Sequence, residues 1–328
     1  MNHTVPLKRL LVTTFMLVAI FVPAFLTHGT AHAQSPGDAA NGLQISPALV
    51  QLNGEKGKSY IVELKVLNVT GSDLSFTSSV NDFAAKDETG TPSIVLGSAV
   101  PTPTSIQKWV TAIPDFSLKA HETKTISAVI SIPASAEPGG HYGVIRFSGI
   151  APTLSGTGVG LSASAGTLFL VRVAGNITEK LSLVTFEATQ NDKPSGLFEY
   201  GPITFVSRFQ NTGNVHVQPT GTILVEDIFS NKVASIDINS EKGNILPAST
   251  RRFESLLNQK WMFGRYTATI TIGYGTQGQA IVESTSFWVI PYKLILIGLA
   301  LLMTLIYVLR GAIKRYNKYI IAQSHKKK

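Results

Sequence analysis

Between residues 40 and 285 apolar and polar residues alternate with a period of two. Tyr60, Val62, Leu64 and Val66 share one side of a strand, with Glu63 and Lys65 on the other. Ile126, Ala128, Ile130 and Ile132 repeat the pattern, as do Tyr266, Ala268, Ile270, Ile272 and Tyr274. No window there keeps the i, i+3, i+4, i+7 spacing of a helix over three turns, so the pattern predicts an all-β chain.

The two ends break the alternation. Lys8 and Arg9 precede an apolar run from Leu10 to Leu26 and the small-x-small Ala31-His32-Ala33, which predicts a signal peptide over 1–33. Trp288 to Leu309 is a second apolar run, about 33 Å long as a helix against a hydrocarbon core of about 30 Å. A transmembrane helix is expected over 291–310, followed by a basic tail over 311–328; from Arg310 to the end there are seven Lys and Arg and no acidic residues. The positive-inside rule puts that tail in the cytoplasm, giving a single-pass type I protein of the plasma membrane with an extracellular ectodomain. Ile313, Tyr316 and Ile320 recur at helical spacing within the tail.

Three local signatures occur twice in the same order. Asn68-Val69-Thr70-Gly71 and Asn211-Thr212-Gly213 each close a strand with turn chemistry. Leu118-Lys119-Ala120 and Leu246-Pro247-Ala248 each lead through a Thr and a base into the next strand, and Gly140-His141-Tyr142 aligns with Gly264-Arg265-Tyr266 as a strand opening. The order predicts two tandem Ig-like β-sandwich domains, 43–175 and 176–290, ahead of the single C-terminal transmembrane helix. Ala174-Gly175-Asn176 is the expected boundary, and Gly149 to Gly166 reads as a long hairpin loop.

The formal charge of +8 first suggests nucleic acid, but residues 34–292 carry 18 basic and 20 acidic side chains, leaving no basic surplus for phosphates. The absence of cysteine excludes disulfides, thiolate metal sites and cysteine nucleophiles. Ser105-Ile106-Gln107-Lys108 has Ser-x-x-Lys spacing but follows Pro101-Thr102-Pro103 in a strand-rich region, without the companion Lys-Thr-Gly and Ser-Asp-Asn. Gly156-x-Gly158-x-Gly160 lacks the Lys-Ser/Thr of a phosphate loop, and Asp237, Asn239 and Glu241 lack the terminal glutamate of a calcium loop. No cofactor, metal or enzymatic activity is expected. Asn68 and Asn176 are in sequons.

The first copy is longer than the second between its first two signatures, and the surplus falls in Asn81 to Trp109. Loops on a rigid sandwich are where binding concentrates, so Asp82, Phe83, Asp87, Glu88 and Trp109 are the candidate binding residues, expected as one exposed patch. The competing expectation makes Phe83 and Trp109 core residues at strand ends and the acids a solvated turn.

The chain resembles the WxL-interacting protein family of bacterial surface proteins. The resemblance is carried by Ile45-Ser46-Pro47, the strand ending at Asn68, Gly90-Thr91-Pro92 and the run from Ile132-Pro133 to Pro138-Gly139-Gly140-His141-Tyr142-Gly143. Asn211-Thr212-Gly213 with Pro219, Leu246-Pro247-Ala248-Ser249 and Gly264-Arg265-Tyr266 extend it. It implies a first Ig-like domain of peptidoglycan-binding type, a second that engages a host or partner protein, and a membrane anchor. Trp109, Trp261 and Trp288 are not in a Trp-x-Leu, so this chain would be the partner of a WxL protein. The expected function is a non-enzymatic, membrane-anchored envelope adaptor for cell-wall polymer, a surface protein or both. The alternative is an assembly factor that acts by strand pairing, as periplasmic chaperones do.

Overall fold

A computed structural model of the chain describes residues 42–96, 102–150 and 162–325. The expected signal peptide, the Gly156-x-Gly158-x-Gly160 run and Lys326 to Lys328 lie outside the described residues. The first nine strands are β1 (Gln44–Ser46), β2 (Leu49–Gly54), β3 (Ser59–Leu67), β4 (Leu74–Ala85), β5 (Pro92–Val95), β6 (Phe116–Leu118), β7 (Thr123–Ser131), β8 (Gly139–Ile150) and β9 (Ser162–Val173). They form a β1-β3-β7 sheet and a second sheet in the order β2-β9-β8-β4-β5, with β6 also on β4. Leu64 and Val66 of β3 and Ile126, Ala128 and Ile130 of β7 meet Phe76, Ile145, Phe147, Phe169 and Val171 of the facing sheet. Each of these side chains larger than alanine contributes about 1.5–3 kcal/mol by leaving water.

The second set is β10 (Leu181–Gln190), β11 (Lys193–Pro194), β12 (Leu197–Phe198), β13 (Ile203–Asn211), β14 (Thr220–Asp227), β15 (Lys232–Ile238), β16 (Thr250–Leu257), β17 (Gly264–Tyr274) and β18 (Gln279–Val289). Its sheets are β11-β10-β13-β16 and β12-β18-β17-β14-β15, packed on a separate core that includes Phe205, Phe209, Ile223, Ile270 and Phe287. The wiring repeats. β1-β3-β7 corresponds to β10-β13-β16 and β9-β8-β4 to β18-β17-β14, and in both sandwiches a short strand joins the last strand in parallel, β2 on β9 and β12 on β18.

The repeated signatures fall on corresponding strands, and two of them share one device. Asn68 is fully buried beyond β3, where its Nδ2 donates to the carbonyls of Ser72 and Lys119 and its Oδ1 accepts from the amide of Thr70. Asn211, equally buried at the end of β13, donates to Val215 and Ile245 and accepts from Gly213. Each asparagine clips the end of a strand to the loop that enters β7 or β16. Burial also removes the Asn68 sequon from the folded surface.

The third signature is out of register by one residue. The left-handed glycines that open β8 and β17 are Gly139 (φ +125°) and Gly264 (φ +111°), so Tyr266 corresponds to His141 rather than to Tyr142. His141 is buried against the Trp109 ring at 4.4 Å, while Tyr142 points to the other face of its sheet and away from the core. A shift of one residue exchanges the two faces of a strand.

One further expectation is corrected. The stretch from Gly149 to Gly166 is not all loop, because β8 extends to Ile150 and β9 begins at Ser162. The C-terminal helix, α1 (Tyr292–His325), continues beyond residue 310 into the basic tail, where Ile313, Tyr316 and Ile320 recur at helical spacing. It runs on through Arg310, Lys314, Arg315 and Lys318, among residues with no proline to end it. Its Tyr292–Lys318 portion is long and apolar enough to cross a membrane, and none of it is buried in protein.

Candidate functional site

The outward face of the β2-β9-β8-β4 sheet carries an apolar stripe at one end. Leu49, Leu168, Leu170, Tyr142 and Phe83 lie on it, and Leu246 of the second sandwich packs against it. Beside this contact the two sandwiches leave a cleft of about 200 Å³. Its floor is Leu49, Phe83, Leu168, Leu170 and Leu246, and its rim includes Asp87, Glu241, Lys242, Asn244 and Arg251.

Polar contacts fix the joint on both sides of the cleft. The Glu88 carboxylate takes a two-pronged hydrogen bond from Arg208 on β13, and its carbonyl accepts from the amide of Arg252 on β16 at 2.7 Å. The Arg208 guanidinium holds the Glu88 carboxyl below its ordinary range. On the other side Gly140 donates its amide to the Asn214 carbonyl at 2.8 Å, and the amide of His216 donates to the Tyr142 hydroxyl at 2.9 Å. Gly139 is required here, since a Cβ would sit 2.7 Å from the Asn214 carbonyl oxygen and its φ is left-handed. Arg172 of β9 pairs with Glu179 at 2.5 Å, and Glu179 accepts from the amide and hydroxyl of Thr276 at 2.8 Å. Burial raises the Glu179 carboxyl, but the Thr276 and Arg172 hydrogen bonds outweigh it and leave the carboxyl below its ordinary range.

Within the cleft, Arg251 and Asn244 each keep a buried polar atom, Nε and Oδ1, with no hydrogen-bond partner among the described residues. The Arg251 guanidinium lies over the Phe253 ring at 5.2 Å and donates to the Asn244 carbonyl at 2.9 Å. Burial lowers its pKa from the ordinary arginine value, with the charge of Glu241 opposing.

The candidate residues do not form one exposed patch. Asp82 is 2% exposed and faces inward, where its carboxylate accepts from the Thr102 amide and the Ser105 hydroxyl. Trp109 is 8% exposed, in the core. Phe83, next to Asp82 but on the opposite face, is buried in the joint against Tyr142. Only the β4–β5 hairpin tip is open. There Asp87 accepts from the Thr89 hydroxyl and amide, which lower its pKa, and Glu88 braces the second sandwich. The structure therefore joins Phe83, Asp87 and Glu88 around the cleft and sends Asp82 and Trp109 inward.

Other motifs resolve as structure. Ser105 is committed to Asp82 and to the amide of Gln107, while Lys108 is exposed on a turn. Asn239 ties its own loop to Pro219 and Gly243, and no group of three metal-ligating side chains occurs among the described residues. Arg251 and Arg208 are ordinary strand positions in the sequence, and Tyr142 stands there only as part of a strand opening, with nothing to mark it for the joint.

No protein-family model and no curated protein matches the chain. Among solved structures, the YadV chaperone is 13% identical over 75% of this chain and 100% of that one, with a TM-score of 0.37. The class 5 fimbriae chaperone CfaA is 13% identical over 74% and 98%, with a TM-score of 0.39. The E. coli chaperone DraB is 14% identical over 75% and 96%, with a TM-score of 0.35.

The joint gives the protein a pH dependence. Burial, with the charge of Arg172 adding and that of Glu179 opposing, pushes the His216 imidazole down to about 4. Its folded pKa is below the ordinary 6.5, so the unfolded chain binds the proton more readily. The stability it supports is complete above pH 6.5 and is lost as pH falls toward 4, at most about 3 kcal/mol. Unfolding midpoints of the wild type and His216→Gln across this range should converge as pH falls. A constant difference between them would show that His216 does not titrate there.

Proposed function

We propose that the chain is a non-enzymatic, membrane-tethered binding protein that takes an extended segment of a partner surface protein in the cleft between its sandwiches. The observation that carries this reading is the cleft's chemistry: an apolar floor beside one buried donor and one buried acceptor, Arg251 Nε and Asn244 Oδ1, both without a partner among the described residues. A peptide unit offers one acceptor and one donor and positions a side chain for the floor. Leu49 of the floor begins β2, which among the described residues has no strand on its outer side, so a segment entering the cleft can continue by adding to that edge. The β18 edge is less suited, because Glu283 stands on its core-facing side, a charge that discourages pairing.

A wall glycan fits the cleft less well than a peptide does. Glycan recognition uses accessible ring faces, and Phe83 and Trp109 are buried. The resemblance to the WxL-interacting family supports a surface protein as the partner, with α1 as the tether and the basic tail in the cytoplasm. The open β2 edge also favours a second reading, an assembly factor that holds a client strand and then releases it.

The test is photocrosslinking in cells from a single cysteine at Pro92 in the cleft, with Lys56→Cys as a surface control. A discrete adduct with one envelope protein, lost when Leu168→Arg fills the floor, is the expected result. Retention on isolated cell wall that Leu168→Arg leaves intact, with no adduct from Pro92, overturns the proposal. Turnover of the adduct as the client matures selects the assembly factor, and a persistent adduct the adaptor.

A further inference from the structure

Large apolar side chains stand exposed singly along the sandwich strands, as Ile61, Val184 and Val282 do, and such residues are ordinary. One end of the second sandwich differs. The β17–β18 register pairs Gly264 with Val289, and β14–β17 pairs Asp227 with Tyr266, so the β14–β15 turn, the loop before β17 and the exit of β18 lie at one end. The 196–201 segment is there too, since Gly196 accepts from Trp288 and Gly201 donates to Lys260. On these loops Phe229 is 81% exposed, Trp261 75%, Phe263 70%, Ile228 66%, Tyr200 48% and Trp288 46%.

The turn that carries Phe229 is firmly built. Asp227 accepts from the amides of Phe229 and Asn231 at 2.8 and 2.9 Å and from the Asn231 side chain at 2.9 Å. The ring is thus held out at the tip, where a water-facing turn gains nothing from it. From this same end the chain leaves for α1: Ile290 donates to Phe198, and Lys293 of the helix's first turn pairs with Glu199 at 2.6 Å.

We infer that this end of the second sandwich is a membrane-docking surface, its aromatic loop tips seated in the headgroup and upper acyl region of the bilayer that α1 crosses. The occupant follows from continuity, because the helix apolar enough to span begins three residues after β18, amid the exposed rings. Trp and Tyr favour that boundary, where one part of the ring meets apolar chains and the other water. Lys260, beside Trp261, and Arg265 supply cations for anionic headgroups. The second sandwich would then lie against the membrane rather than swing on a tether, and the cleft at its opposite end would be held at a fixed height.

This inference rests on α1 crossing the membrane, and the experiment separates the two claims. The chain has no cysteine, so Phe229→Cys, Leu301→Cys and Lys56→Cys each provide a single site for an environment-sensitive fluorophore in the full-length protein. The variants are reconstituted in vesicles of phosphatidylcholine and phosphatidylglycerol and exposed to iodide or to lipid carrying a nitroxide near the headgroup. The label at residue 229 should lose roughly half its emission to the lipid quencher and resist iodide, while that at residue 56 does the reverse. A label at 301 in lipid with one at 229 open to iodide leaves the span standing and overturns the docking surface. Shielding of 229 from both quenchers also overturns it, because protein and not lipid then covers the end. A label at 301 in water overturns both.

Discussion

Replacing Asn211 with Ala should destabilise the protein by about 3 kcal/mol, since two buried carbonyls and one amide lose their partner together. The carbonyls belong to Val215 and Ile245 and the amide to Gly213, so the loss falls on the loop that positions Leu246 at the cleft as well as on the sandwich. Asn68→Ala should give a loss of similar size, because it strips the corresponding clip from Ser72, Lys119 and Thr70. Asp at either site should be no rescue, since it keeps the acceptor but aims an oxygen at carbonyls. Urea unfolding of the full-length protein provides the measurement, read as a shift in midpoint at unchanged slope. A loss under 1 kcal/mol in both alanine variants would mean that water replaces the asparagine and that the clips are not structural.

The second large effect is expected at Tyr142, whose ring closes the apolar contact with Phe83 and Leu170 and whose hydroxyl accepts from His216. Tyr142→Ala should cost about 3–5 kcal/mol, the range for removing a large buried ring. Tyr142→Phe keeps the ring, leaves the His216 amide unpaired and should cost about 1–2 kcal/mol. The two cores are separate, so weakening the joint should also split thermal unfolding into two transitions. A Tyr142→Ala variant that melts in one step at the wild-type temperature would remove the joint from any role in stability. Phe205→Ala, which opens the second core away from the joint, is the control and should lower one transition without separating the two.

Much of the architecture was legible because strand alternation is local. Leu64, Val66, Ile126, Ala128 and Ile130 were placed on core faces from their spacing alone, and each is buried. The repeated Asn and Leu-x-Ala signatures fell on corresponding strands for the same reason, since turn chemistry is written in the residues at the turn. The Gly-x-Tyr signature failed by one residue because similar triplets had slipped against the pleat, and only the positive φ of Gly139 and Gly264 reveals the true register.

The site was less legible. Asp82 and Phe83 are adjacent in sequence, so the pleat sends them to opposite faces, and the sequence does not say that both faces are covered. One lies over the sandwich's own core and the other under the second sandwich, a contact between residues more than sixty positions apart, as in Tyr142 with His216. Glu88 reads in the sequence as a binding acid or a solvated one, because its partner, Arg208, is 120 residues away. Period, turn residues and the apolar C-terminal run are properties of the chain within a few residues, and these the sequence determined. Which apolar face would meet another, which acid would find its arginine, and where a cleft would remain depend on how two separately wired sandwiches pack, and that was decided only in the tertiary structure.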